Sequence, residues 1–127
     1  MKRFFKTYPL SILITVAIIF LSLFNPPETK IDDIKFIDKI AHFCMYGGLE
    51  LVMWIEYVRR HKGPYSKLHI LVVILLPIML GGLMEIAQST MTVYRGGDWG
   101  DFIADAVGVL AGAATGWVLT KSFLRKR

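Results

Sequence analysis

His42 stands four residues after Asp38 and four before Tyr46, in the stretch DKIAHFCMYGG. On an α-helix that spacing draws a carboxylate, an imidazole and a phenol into one slowly drifting stripe. Further along, Glu85 and Gln88 are three apart in GGLMEIAQ, and Asp101 and Asp105 are four apart in DFIADAVG, with Arg95 between the two pairs. An imidazole with acidic neighbours is suited to general acid–base chemistry, a carboxylate such as Glu85 or Asp38 setting its tautomer. Asp101 and Asp105 could orient that ring or hold a divalent cation, and Arg95 could grip a phosphate or carboxylate bidentately. Gln88 and Tyr46 both donate and accept hydrogen bonds, which suits readout of a polar ligand. No GxSxG, HExxH or Walker motif accompanies them, so the spacing leaves the reaction class open.

The elements that must position these groups are unusually apolar. Hydrophobic residues make up 54% of the 127, charged residues only 20%, and the mean hydropathy is +0.51, too apolar for a soluble domain of this length to cover with a polar surface. Four stretches, Tyr8 to Phe24, Asp38 to Val58, Leu68 to Gln88 and Asp101 to Thr120, approach the ~20 residues that cross a bilayer. The expected fold is all-α: one domain over residues 1–127, a compact bundle of four transmembrane helices. The first stretch resembles a signal peptide, but LSLFNPPETK offers no small-x-small cleavage site. It reads as a retained anchor helix ended by Pro26 and Pro27. The lone cysteine, Cys44, allows no intrachain disulfide and reads as a small packing residue.

Basic residues set the orientation. Lys2, Arg3 and Lys6 precede the first span, Arg59, Arg60, Lys62 and Lys67 join the second to the third, and Lys121, Arg125, Lys126 and Arg127 follow the fourth. The positive-inside rule makes these segments cytoplasmic, with both termini inside. The net charge of +5 therefore reflects topology, not nucleic-acid binding. Most acidic residues fall on the other side, which places a polar site at the outer leaflet. His42 and Tyr46 would lie about 6 and 12 Å deeper than Asp38. Pro77 is expected to kink the third helix near mid-membrane, and Gly108, Gly112 and Gly116 continue the Asp101–Asp105 face as a small-xxx-small groove directed at protein. Each Asp or Arg costs about 2.5–3.5 kcal/mol at a helix centre in lipid, so the polar residues should pair or line a wet pocket.

Taken in order, DKIAHFCMY, EIAQ, Arg95 and Asp101 with the glycines after it resemble the VanZ-like family, small bacterial membrane proteins whose founding member is associated with teicoplanin resistance. The family pattern of Asp-Lys, His-Phe, Tyr, Glu-x-x-Gln, Arg and Asp-x-x-x-Asn-x-x-Gly falls on Asp38, Lys39, His42, Phe43, Tyr46, Glu85, Gln88, Arg95, Asp101 and Gly108. Asp105 stands where an Asn is usual. Its extra carboxylate could bind a cation, or stay protonated and mimic the amide. The resemblance implies a multi-pass protein of the bacterial inner (cytoplasmic) membrane with an envelope role. Its partners would be membrane lipids and a lipid-linked envelope precursor or the glycopeptide. It supplies neither a reaction nor a cofactor.

Several readings stay open. In an enzyme, His42, Glu85, Asp101 and Asp105 would be catalytic and Asp38, Lys39, Tyr46, Gln88 and Arg95 would bind substrate, with phosphoester hydrolysis or group transfer the least strained reaction. A binding protein would use the same pocket without chemistry. A polar clasp would pair His42 with Glu85 and Arg95 with Asp98 or Asp101, only to fix helix register. Proton conduction through Glu50 would need an oligomer. The plainer expectation for Glu50 is a buried protonated acid bonded to a backbone carbonyl or to Thr15 or Thr115. Trp54, Trp117, Tyr57 and Trp99 read as interface anchors, and His61 and His69 as solvated.

Overall fold

The computed structural model describes residues 2–23, 37–60, 66–91 and 99–125, and every element in it is helical: α1 (Lys2–Thr7), α2 (Pro9–Leu23), α3 (Ile37–Arg60), α4 (Lys67–Met91) and α5 (Trp99–Arg125). The all-α class expected from the sequence is met. The first span differs from expectation in beginning before Tyr8 and in being broken. Proline at position 9 has no N–H to donate one turn back, while Tyr8 N donates to Phe4 O and Ile12 N to Tyr8 O, each at 3.0 Å. α1 and α2 therefore follow one another with the ladder interrupted at positions 9–11, where Leu10 N and Ser11 N bond Glu56 instead.

Among the described residues two helices, Lys67–Thr90 and Trp99–Lys121, are long and apolar enough to cross a membrane, and Pro9–Leu23 is a shorter apolar helix. α4 runs on through Pro77, whose lost bond to Val73 is shielded because both residues are buried.

Glycine governs the central packing. A Cβ on Gly108 would collide with Phe43 O, one on Gly112 with Gly47 O, and one on Gly116 would lie 2.7 Å from Trp54 Cγ. The backbones of α3 and α5 thus touch, in parallel, along the small-residue groove expected from the sequence. At the far end Trp54 Nε1 donates to Thr120 Oγ1 at 2.8 Å, so Trp54 is a buried pin between the helices and not an interface anchor. α2 and α4 run opposite to α3: Ser11 meets Glu56, Gln88 meets Ser22, and His69 meets Tyr8 and Tyr57. The order is up, down, up, down.

The distribution of polarity is inverted relative to a protein in water. Leu13, Phe20, Met79, Leu83, Ile103 and Val118 are among many large apolar side chains turned outward, whereas His42, Glu50, Glu56, Glu85, Gln88 and Asp105 are buried. Isolated exposed apolar groups are ordinary, but an apolar exterior around a carboxylate-bearing interior is the pattern of a protein that sits in a membrane. Cys44, expected to pack internally, is exposed on this exterior.

Candidate functional site

At one end of the bundle, the α3–α5 register brings the two polar stripes face to face. His42 Nδ1 and Asp105 Oδ1 share a hydrogen bond of 2.8 Å, and both residues are buried. The other ring nitrogen, Nε2, lies 3.6 Å from Asp101 Oδ2, and Lys39 Nζ lies 3.5 Å from Asp101 Oδ1. Asp105, rather than Glu85, is the carboxylate that holds Nδ1. This follows from the glycine contacts: the approach of Gly108 to Phe43 sets Asp105, one turn earlier on α5, beside His42.

α4 closes the third side. Its Gly81 lies against Asp105, where a Cβ would be 3.0 Å from Oδ2 and 3.1 Å from the Asp105 Cβ. Glu85 follows one turn later, which sets it beside the His42 ring. Ligand atoms of His42, Glu85 and Asp101 lie within 4.8 Å of one another, a donor set able to hold a cation. Below them Tyr46 is fully buried, its ring parallel to that of His42 within 3° and 6.4 Å away. Tyr46 Oη and Asp105 Oδ2 accept or donate no hydrogen bond among the described residues. Buried orphans of this kind accompany sites that take a ligand, a proton or water.

The structure therefore unites Lys39, His42, Tyr46, Glu85, Asp101 and Asp105. Gln88 turns elsewhere: its Nε2 donates to Ser22 O at 2.8 Å, tying α4 to the end of α2. The Asp38 side chain, Arg95 and Asp98, and with them the expected Arg95 pairings, lie outside the described residues, as does His61. Glu50 is fully buried without a hydrogen-bond partner among the described residues. Thr15 and Thr115, its expected partners, donate instead to Ser11 O and Ala111 O of their own helices. A helical threonine has a carbonyl in reach one turn back, and that local bond wins.

Sequence reasoning missed a second polar cluster at the opposite end. Glu56 of α3 accepts from Leu10 N at 2.7 Å, Ser11 N at 3.2 Å and Ser11 Oγ at 2.7 Å. The carboxylate caps the start of α2 from another helix, where orphan N–H groups and the helix dipole favour an anion. Pro9 as a helix start, with Glu56 acidic at the matching depth, was the available signal. Nearby, Tyr8 Oη bonds His69 Nε2 at 2.6 Å, and the His69 ring stacks on Tyr57 with centroids 4.2 Å apart. His69 is thus engaged rather than solvated, and Tyr57 is a buried packing residue.

Chemically, His42 has an acid at each ring nitrogen, Asp105 at Nδ1 and Asp101 at Nε2, with Glu85 beside it. That arrangement can pass a proton or hold a positive charge. Searches of curated proteins and of solved structures gave no match. A family model described as VanZ/LLP1 matches residues 2–120, covering all of the bundle but the end of α5 and every described member of the His42 centre. On that match, the chain belongs to the VanZ/LLP1 family.

Proposed function

We propose that this protein is a four-span protein of the bacterial cytoplasmic membrane, both termini inside, that takes the polar head of a lipid-linked cell-envelope ligand at its outer end. His42 moves a proton on that ligand, and the outcome contributes to glycopeptide (teicoplanin) resistance. The observation that carries the reading is the His42 imidazole held at 2.8 Å by Asp105 and facing Asp101, inside a bundle whose exterior is apolar. A dyad of this kind is expensive to keep in lipid and is of use where a proton must be delivered or removed. The orientation is supported by the basic residues Lys2, Arg3, Lys6, Arg59, Arg60 and Lys67, which lie at the end away from His42. Lys39, at the edge of the centre, suits an anionic head such as a phosphate.

The test is expression of the wild type and of His42→Ala, at equal membrane abundance, in a teicoplanin-susceptible host. The wild type is expected to raise the inhibitory concentration and the variant to leave it unchanged. In detergent, the wild type is expected to convert a polyprenyl-linked phosphate precursor. Equal resistance from the two proteins overturns the reading in favour of a register clasp. Binding of the precursor with no conversion reduces the function to recognition without chemistry.

A further inference from the structure

We propose that His42, Glu85 and Asp101 bind one divalent transition-metal ion of the zinc class, with Asp105 acting as the positioning residue behind His42. The inference rests on the reading above only for what the ion would act upon, and it reassigns His42 in the loaded protein from proton carrier to metal ligand.

Four observations converge. The donors are one imidazole nitrogen and two carboxylate oxygens, delivered by three different helices, and their ligand atoms lie within 4.8 Å of one another. Zinc accepts this mixture, whereas calcium prefers six to eight oxygens. The separation of His42 Nε2 from Asp101 Oδ2, 3.6 Å, is too long for a hydrogen bond. It is close to the ~3.4 Å edge between two ligands each about 2.1 Å from a tetrahedral ion.

Orientation is the third observation. With Nδ1 taken by Asp105, Nε2 is the ring nitrogen turned toward Asp101 and Glu85, and so the one available to an ion held between them. A carboxylate behind a histidine ligand is the usual partner of a metal-bound imidazole. Charge is the fourth. Among the described groups the centre gathers three acids, Glu85, Asp101 and Asp105, around His42, with Lys39 beside Asp101, and a divalent ion moves such an acid-rich set toward neutrality. Neutrality matters where water is scarce, because an unbalanced buried charge is far costlier than a balanced set.

The site also has a way in. His42 and Glu85 are buried, but the Asp101 side chain is 14% exposed, so an ion would reach these donors past the edge where Lys39 stands. Lys39 takes Oδ1 of Asp101 and leaves Oδ2 to the ion.

The experiment uses the full chain purified in detergent, stripped with chelator and reloaded with Zn2+, then separately with Co2+ as a spectroscopic reporter. About one ion per chain is expected, together with a visible Co2+ absorption that shows nitrogen and oxygen ligation. His42→Ala and Glu85→Gln are expected to lose both, while Glu50→Gln, a buried acid two turns deeper, keeps both. If His42→Ala does not fold, His42→Gln replaces it, with monodispersity on gel filtration as the criterion. Zinc content and a Co2+ spectrum equal in wild type and the folded His42 variant overturn the site, as does failure of the wild type to retain Zn2+, Co2+ or Mn2+. Metal content reads the ion alone and teicoplanin susceptibility reads the head-group function alone, so either proposal can fail while the other stands.

Discussion

The Nδ1 of His42 is hydrogen-bonded to Oδ1 of Asp105 at 2.8 Å across the seam where α3 and α5 touch backbone to backbone, with the two side chains shut away from solvent. In that setting the bond does two jobs: it satisfies a buried ring nitrogen and it fixes which ring nitrogen faces Asp101.

Asp105→Leu should remove the partner of Nδ1 and leave a buried ring nitrogen orphaned, a loss of about 1–3 kcal/mol. Asp105→Asn keeps an acceptor oxygen at the same place and should fold as stably as the wild type. Thermal unfolding of the two variants in detergent checks the difference, and equal melting of both would remove Asp105 from its positioning role.

Gly108→Ala and Gly112→Ala should force α3 and α5 apart, since each new methyl would meet a carbonyl oxygen of α3. Overpacking of this kind costs about 1–3 kcal/mol and here also separates His42 from Asp105. Gly48→Ala, where a Cβ meets nothing within 4 Å, is the matched control and should be neutral apart from a small gain in helix propensity. The readout is the fraction of folded protein after heating, together with the activity of the His42 centre.

Glu56→Ala should release Leu10 N, Ser11 N and Ser11 Oγ at once. Bonds to a charged acceptor are worth about 1.5–3 kcal/mol in such surroundings, so α2 should loosen at its start. Hydrogen exchange should rise at the amides of Leu10 and Ser11 while those of α5 stay protected. Uniform exchange over both helices would show that the cap is not local.

Tyr8→Phe removes the hydroxyl that bonds His69 at 2.6 Å but keeps the ring, and should cost about 0.5–1.5 kcal/mol. It lies at the opposite end from His42, so resistance measured at equal membrane abundance should be unchanged. His42→Ala should behave in the opposite sense, with function lost. A Tyr8→Phe phenotype matching that of His42→Ala would place the chemistry at the wrong end of the bundle.

Much of this molecule is determined by short-range pattern. Apolar runs of helix-spanning length, the four-residue spacing of Asp101 and Asp105, and the glycines at 108, 112 and 116 fix helix existence and the face each helix turns inward, because helical periodicity acts within a few residues. The same pattern named His42, Tyr46, Glu85, Asp101 and Asp105 as a set, and the family could be recognised from their order. What it could not decide was which acid meets which base. Asp105 rather than Glu85 holds His42, Gln88 turns to Ser22, and Glu56 reaches the start of α2 across 45 residues of chain. Those choices depend on the register between helices, which is set by where backbones can touch, at Gly108 against Phe43 and Gly81 against Asp105. Glu50 missed its expected threonines for the complementary reason that a local bond was nearer to each hydroxyl. Spacing along one helix is written in the chain; alignment between helices arises only when they pack.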